Sequence, residues 1–489
     1  MKVKKVLIGE DVAKKLMKLL KKICKRTVIE AHKYLETHDE LIGYNRYPIE
    51  SYMPSKEEAA FKDVPYLVYD IQKYEIGNFP RTAKLYSVIF ERKGVDCTKF
   101  EEFQEVFDYI DSNKRVKNII LEKNSSNLKF KLKIIITEIV ERYLYSTNAS
   151  KNIPEDLEEK LLPYILEKFV RYFAEELGVD ILVPICLATF EEDSIKLSEK
   201  IEIVRMTEEI QKSRQYACTY EVSNEDWIAA CATHMIVIHN CSLKNEENMS
   251  LNKVTRNYNA YPLQEIDNVM AAIRMVVGNN IGYEQILTRP IKWVDDFCAD
   301  LIPLYGAKAH FVNPEEIEKF WLCLSISKID REQSQKITSI YKDILKYKDE
   351  ENSLAFALRR FNRCMLRNET DDKTTDATIG IEALLAGGTK GEITYTISNR
   401  IPVVFSYIDS DLYQKTNCRI IMKKIYNYRS KIVHGGTLKD KDKYYEIDGK
   451  KIEIAKAAVD FLKYTLLFML EHPEFLDAKK FDEYIDSKV

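Results

Sequence analysis

Arg429 and His434 are the residues best suited to chemistry, in a stretch that reads KKIYNYRSKIVHGG from 423 to 436. Imidazole titrates near neutrality, so His434 can take the proton of a ribose 2′-hydroxyl or give one to a departing 5′-oxygen. Arginine stays charged and presents a planar set of donors, which suits a phosphate on which negative charge develops. The pair therefore predicts RNA cleavage. The alternative is a basic helix that its last histidine merely caps, because this spacing also arises by chance.

The residues around the pair predict a basic helix over 411–434. From Lys415 to His434 there are six basic residues and no acidic one, and Gly435-Gly436 favours the left-handed conformation that ends a helix. An apolar stripe follows helical spacing: Ile421, Ile425, Tyr428 and Ile432. The lysines expected to contact RNA are Lys423, Lys424 and Lys431. Residues five apart lie about 140° apart around a helix, so a complete site needs two symmetry-related helices or a helix end that unwinds at the glycines.

A second feature is the pair of acids in TTDATIGIEALLAGG, Asp376 and Glu382. Glu382 lies on the apolar face of the helix predicted there. A carboxylate in that position needs a cationic partner or a raised pKa, and Arg429 or Arg400 is the expected partner. The alternative is an ordinary glutamate on a helix surface.

A third candidate is a set of four potential zinc ligands: Cys231, His234, His239 and Cys241. Tetrahedral zinc sites take ligand pairs from tight turns, whereas an apolar run separates the two halves of this set. If that run is a strand, the two histidines point to opposite faces. We therefore favour core cysteines and partly buried histidines over zinc, and predict no cofactor.

The C-terminal part resembles the ApeA-like branch of the HEPN superfamily, helical ribonuclease domains common in prokaryotic anti-phage and toxin systems. The matching pieces occur in order: ALRRFNRC (357–364), Asp376, IGIEALL (379–385), SNRIPVVF (398–405) and YRSKIVHGG (428–436). Pro402 departs from the small helix former expected there, which predicts a late start or a kink in that helix.

The resemblance implies a catalytic pair, Arg429 and His434, with Ser430 at the family's polar position and Glu382 as the supporting carboxylate. Asp376 and Arg400 are further supporting candidates. It also implies metal-free cleavage of RNA, with tRNA as one candidate substrate, in a composite cleft of a homo-oligomer that is at least a dimer. By analogy with similar defence proteins, the N-terminal region would sense a phage-encoded trigger, restrain the nuclease or position RNA.

The composition is that of a globular chain of 489 residues, with 45% hydrophobic and 31% charged residues. The formal net charge of −3 does not indicate a nucleic-acid binder overall, so any RNA site must be local. Ten scattered cysteines without a C-x-x-C pair are typical of reduced thiols. With neither a signal-like segment nor a long apolar run, a cytoplasmic protein without a membrane partner is predicted.

The predicted fold class is α+β and predominantly helical, with an α+β domain over 1–245, a connector with one amphipathic helix over 246–312 and an all-α bundle over 313–489. The change of character in the polar stretch 242–262 marks the boundary. Strands are predicted within 180–190, 200–206 and 234–243. Helices are predicted at 11–35, 331–348, 353–367, 373–386, 393–408, 411–434 and 454–471, with Gly278 ending an earlier helix and Asn313 starting another.

The helix at 11–35 is basic, which fits contact with RNA but more often describes a solvated helix face. For the whole chain, a metal-independent endoribonuclease of an anti-phage system is the preferred function. The alternative is a non-catalytic helical module that binds RNA or a partner protein in a defence or toxin–antitoxin system. A binding role does not need a titrating histidine, so the Arg429/His434 pair favours the nuclease.

Overall fold

The protein is a predominantly helical α+β chain whose main sheet is six-stranded and antiparallel, as a computed structural model describes it. The structure describes residues 6–38, 43–44, 49–51, 66–68 and 84–487, except 92–93, 123–126, 151, 208, 212, 215–231, 246–249, 279–280, 299–300, 312–325, 348–351, 388–392, 411 and 448. In these residues no helix is long and apolar enough to cross a membrane. The predicted helix start at Asn313 lies outside them.

Five helices near the N-terminus pack around a hydrophobic core of their own, and we call them the helical module. They are α1 (Glu10–His38), α2 (Glu101–Ser112), α3 (Lys114–Leu121), α4 (Leu128–Ser146) and α5 (Leu157–Phe173). The short strands β1 (Gly43–Tyr44), β2 (Ile49–Ser51), β3 (Tyr66–Val68) and β4 (Lys84–Leu85) pair as β1–β4 and β2–β3.

The basic residues of α1 are largely neutralised within the module. Lys21 lies 2.8 Å from Glu159, Lys22 lies 3.2 Å from Glu105, and Lys25 lies 3.3 Å from Glu158. These acids belong to the neighbouring helices α2 and α5. The basic side chains of α1 therefore form ion pairs with neighbouring helices. These contacts favour a solvated helix face over an RNA-binding helix.

A six-stranded antiparallel sheet follows the module, with the order β11-β10-β5-β9-β8-β7. Its strands are β5 (Glu176–Pro184), β7 (Ser194–Lys196), β8 (Ile201–Arg205), β9 (His234–Lys244), β10 (Tyr283–Pro290) and β11 (Tyr305–Phe311). Beside it, β6 (Ala188–Phe190) pairs in parallel with β12 (Ser327–Ile329). The strands predicted from 180–190, 200–206 and 234–243 are confirmed.

The segment 246–312, predicted as a connector with one helix, contains two helices, Leu251–Arg256 and Leu263–Val277, and the strands β10 and β11. β10 is covered on both faces: Ile286 packs into the main core and Leu287 into a smaller cluster on the opposite face. A strand buried on both faces lacks the alternation of polar and apolar residues that marks a half-exposed strand, so its sequence did not indicate one.

The C-terminal bundle shares one continuous hydrophobic core with the sheet. Its helices are α6 (Leu251–Arg256), α7 (Leu263–Val277), α8 (Arg331–Leu345), α9 (Ser353–Leu366), α10 (Thr370–Leu385), α11 (Ile393–Val404), α12 (Cys418–Val433), α13 (Asp440–Lys443), α14 (Ile454–Glu471) and α15 (Ala478–Asp486). A hairpin of β13 (Tyr444–Ile447) and β14 (Lys450–Glu453) precedes α14.

The predicted C-terminal helices are confirmed, and one boundary differs markedly. Gly278 ends α7 in the left-handed conformation, as predicted. Helix α12 begins at Cys418 rather than at 411, because side chains hold the preceding residues in turns. The Ser410 hydroxyl accepts the N–H groups of Leu412 and Tyr413, and the Asn417 side chain accepts that of Gln414.

Candidate active site

Helix α12 ends in a glycine cap, and His434 is the C-cap residue directly after Val433. Gly435 adopts φ +68°, its N–H donates to the carbonyl of Ile432 at 3.0 Å, and Gly436 N–H donates to that of Lys431 at 2.7 Å. These two bonds form the Schellman motif, which satisfies carbonyls that a helix end leaves open. The predicted helix end at the glycines is confirmed, and the His434 side chain is exposed there.

One face of α12 is polar, exposed and free of acidic residues, and we call it the polar stripe. It consists of Arg419, Lys423, Asn427, Ser430 and His434, all exposed. At 100° per residue these positions fall within an arc of about 80°. The catalytic histidine candidate therefore lies at the end of a surface that can follow a polyanion.

Arg429 lies outside this stripe, about 80° around the helix from Arg419 and about 140° from His434, and it is half-buried. Its Nε atom is buried and has no hydrogen-bond partner in the part of the chain that the structure describes. Unpaired buried donors are rare in folded proteins, so each calls for an explanation, of which a catalytic role is one. The guanidinium is thus a cation whose hydrogen-bonding capacity the protein does not fully use.

Tyr426, one helical turn before Arg429, donates from its hydroxyl to the Glu382 carboxylate of α10 at 2.7 Å. Burial raises the pKa of Tyr426, and the hydrogen bond to the Glu382 anion adds to this rise. Tyr426 was not a sequence candidate, because it lies off the apolar stripe. One signal could have found Tyr426. It lies one turn before Arg429, and the helix of Arg429 was expected to face Glu382.

A second tyrosine ties α12 to the start of α10. Tyr428 donates to the Asp371 carboxylate at 2.8 Å. Burial, together with this bond to an anion, raises its pKa to about 12, so it remains a donor at neutral pH. Two tyrosines thus hold α12 against α10, and their anchoring fixes the rotation of α12 that exposes the polar stripe.

The three lysines predicted to contact RNA have different surroundings. Lys423 is exposed on the polar stripe. The Lys424 ammonium lies 5.2 Å from the ring centre of Tyr445, and Lys431 forms an ion pair with Asp442 at 2.7 Å. Lys431 therefore already has an anionic partner, and Lys423 is the lysine best placed for a phosphate.

Two of the predicted supporting residues join helices of the bundle. Asp376 of α10 accepts from Arg360 at 2.6 Å and from Arg367 at 3.2 Å, both belonging to α9 or its end. Arg400 is buried and binds Asp482 of α15 at 2.9 Å and the carbonyl of Leu385 at 2.7 Å. Arg400 is thus not the cation that Glu382 was expected to bind.

The zinc candidates are not brought together as a ligand set. His234 is buried on β9, where burial lowers its pKa to about 4, and its ring contacts the Thr233 hydroxyl and the carbonyl of Glu192. His239 instead contacts the Glu202 carboxylate at 2.9 Å. Burial raises the pKa of Cys241 to about 11, and Cys231 lies outside the described residues. Within those residues, no three His, Cys, Asp or Glu side chains are grouped to hold a metal ion.

No protein-family model, curated protein or solved structure matches this chain.

Proposed function

We propose that the protein is a metal-independent endoribonuclease of the HEPN type, active in prokaryotic anti-phage defence. The observation that carries the proposal is the end of α12. There an exposed histidine ends an exposed stripe without acidic residues, and five residues before it lies a half-buried arginine whose Nε has no partner among the described residues. If His434 only capped the helix, neither Arg429 nor the polar stripe would be required.

The reaction is an attack of a ribose 2′-oxygen on the adjacent phosphorus. A base takes the 2′-hydroxyl proton, the bond from phosphorus to the 5′-oxygen breaks, and an acid protonates that leaving oxygen. The products are a 2′,3′-cyclic phosphate and a 5′-hydroxyl. His434 serves as one of the two proton-transfer groups, and Arg429 stabilises the negative charge that develops on the phosphate.

Glu382 and Tyr426 are positioning residues in this proposal. Tyr426 satisfies the Glu382 carboxylate with a neutral donor at 2.7 Å, so the charge of Arg429 is not consumed by an ion pair with that acid. The guanidinium then keeps its capacity for a phosphate, and it supplies positive charge where a metal ion would otherwise be needed. Ser430, at the family's polar position, lies on the exposed stripe beside the path of the RNA.

The deciding experiment compares RNA ends produced by the wild-type protein, Arg429→Ala and His434→Ala, with purified chain and with RNA from phage-infected cells. We expect 2′,3′-cyclic phosphate ends from the wild type in EDTA, none from either variant, and no cleavage of DNA, which lacks the 2′-hydroxyl. Loss of cleavage in EDTA, or cleavage of DNA, would overturn the mechanism.

His472 provides the matched control, because it caps the C-terminus of α14 as His434 caps α12. His472→Ala should cleave RNA normally, although its ring contacts Tyr407 and Phe468. His434→Ala should keep the wild-type melting temperature, since its side chain is exposed. A wild-type protein that binds RNA and leaves it intact would favour the non-catalytic module.

A further inference from the structure

A cavity of about 430 Å³ opens between α11, α12 and α15, next to the polar stripe. Its volume lies in the range of sites that bind small ligands. The residues that matter for its chemistry are Tyr395, Asn399, Arg400, Arg419, Asp482 and Asp486. The cavity thus combines an aromatic ring, two arginines and oxygen acceptors.

Pro402 explains why Arg419 is held at this cavity. Proline has no N–H, so the carbonyl of Ser398, four residues earlier in α11, loses its helical donor. Arg419 Nε donates to that carbonyl at 3.1 Å, and its Nη2 donates to the Asn399 side chain. Pro402 therefore leaves the Ser398 carbonyl of α11 without a helical donor. That carbonyl holds Arg419, the first residue of the polar stripe.

An ion pair between Arg400 and Asp482 forms the floor of the cavity, so Arg400 already has an anionic partner without a bound ligand. Arg400 is only 3% exposed, and its guanidinium donates to both oxygens of Asp482. A free phosphate would have to compete with Asp482 for Arg400. An uncharged group is the better occupant of the interior, with a phosphate outside at Arg419, whose side chain is exposed.

Tyr395 presents an open aromatic face at the rim. It is 67% exposed, which is more than any other large hydrophobic or aromatic residue in the described part of the chain. Exposed aromatic rings beside cationic grooves are the platforms on which proteins stack unpaired bases, since every base has a π face.

Arg419 belongs to both the cavity and the polar stripe, so the two features form one surface. From Arg419 to His434 the helix rises about 22 Å, at 1.5 Å per residue. A single RNA strand that follows the stripe from the proposed cleavage position therefore reaches the cavity within a few nucleotides.

We propose that this cavity is a base-binding subsite for single-stranded RNA, a role that rests on the proposed nuclease function. An unpaired base stacks on Tyr395, and Arg419 binds the adjoining phosphate. Asn399 and Asp486 accept from an exocyclic amino group of the base, as carboxylates do from cytosine. Cytosine carries such an amino group where uracil has a carbonyl, and adenine carries one on its Watson–Crick edge, so the subsite prefers both to uracil.

The test measures binding of labelled single-stranded oligomers of A, C or U, with His434→Ala as the background so that RNA stays intact. Tyr395→Ala should weaken binding of the A and C oligomers about tenfold, the scale of one stacked base. Tyr395→Phe should restore it, because the ring remains. Ile393→Ala is the matched control, since it removes an exposed apolar side chain of the same helix outside the cavity.

The outcomes separate this proposal from the nuclease function. Weaker binding by Tyr395→Ala, with Tyr395→Phe and Ile393→Ala unchanged, supports the subsite even if the wild-type protein does not cut RNA. Equal binding by Tyr395→Ala and its background overturns the subsite even if the wild type cuts RNA as proposed. Equal affinity for the A, C and U oligomers overturns the recognition of an amino group.

With otherwise wild-type protein, Tyr395→Ala should raise KM for cleavage and leave kcat nearly unchanged, because Tyr395 does not touch the reacting phosphate. A fall in kcat alone would contradict a binding role for Tyr395.

Discussion

Tyr426 donates to Glu382 and lies one turn before Arg429, and this arrangement has an energetic consequence. A neutral donor satisfies the carboxylate without forming an ion pair. A direct pair between Glu382 and Arg429 would stabilise both charges and weaken the attraction of Arg429 for phosphate. The hydroxyl therefore satisfies Glu382 without drawing on Arg429, which suits the proposed role of Arg429 at a phosphate.

Glu141 of α4 is a buried carboxylate whose effect on stability depends on pH. It is 7% exposed and accepts the Ser87 N–H at 2.9 Å. Burial raises the pKa of its carboxyl to about 7, and the charges of Glu138 and Glu91 add to the rise. The folded chain therefore holds this proton more tightly than the unfolded chain, so its stabilising contribution is complete below pH ~4.5 and is lost as the pH rises through ~7.

We expect Glu141→Gln to increase the free energy of unfolding at pH 8 by up to about 3 kcal/mol, and to have little effect near pH 4.5. Glutamine keeps an oxygen acceptor for Ser87 and has no charge to bury. Urea denaturation at both pH values measures the difference, with the exposed Glu101→Gln as a control that should show none. An equal effect of Glu141→Gln at both pH values would contradict the raised pKa.

The C-terminal end of α12 depends on Gly435, which adopts φ +68° and has no atom of the described residues within 4 Å of an added Cβ. An alanine would meet none of those residues, so its cost is the backbone strain of the left-handed conformation, about 1 kcal/mol. We expect Gly435→Ala to lower the free energy of unfolding by that amount. It should also reduce RNA cleavage several-fold, because the cap that positions His434 is disturbed.

Gly449, in the turn between β13 and β14, is a matched comparison, with φ +75° and equally open space. Gly449→Ala should cost a similar free energy of unfolding and leave cleavage unchanged. Urea denaturation and RNA cleavage assays on both variants test this pair. Equal activity of the two variants would show that the glycine cap serves stability alone.

The proposed reaction needs a second proton-transfer group, which one α12 helix does not supply. Large apolar residues of α12 lie exposed at the two edges of the polar stripe: Ile420 is 50% and Val433 is 53% exposed. A two-fold contact between two such helices would cover both residues and bring two His434 side chains together. RNA phosphates would offset the repulsion between the stripes.

We therefore expect heterodimers of one wild-type and one His434→Ala chain to be severely impaired in RNA cleavage. Tagged mixtures purified for one chain of each kind provide the measurement. Val433→Asp should also dissociate the dimer in light scattering and stop cleavage while the chain stays folded. Half of wild-type activity in the heterodimer, or a fully active monomer, would show that each chain works alone.

Local features of the sequence were enough for the C-terminal helices and for the end of α12. Helix α14 spans the predicted 454–471, and the two glycines after His434 end α12 as predicted. Periodicity and capping act between residues a few positions apart, so they can be seen along the chain. The R-x4-H spacing and the resemblance indicated the candidates Arg429 and His434, and helical periodicity indicated Glu382.

Contacts between distant segments were decided only by the tertiary structure. Glu382 binds Tyr426 rather than an arginine, Lys431 pairs with Asp442, and Pro402 frees the carbonyl that holds Arg419. Strand β10 is buried on both faces, so no alternation marks it in the sequence. Which polar groups meet depends on the rotation and packing of whole helices, and a short-range pattern contains no information about either.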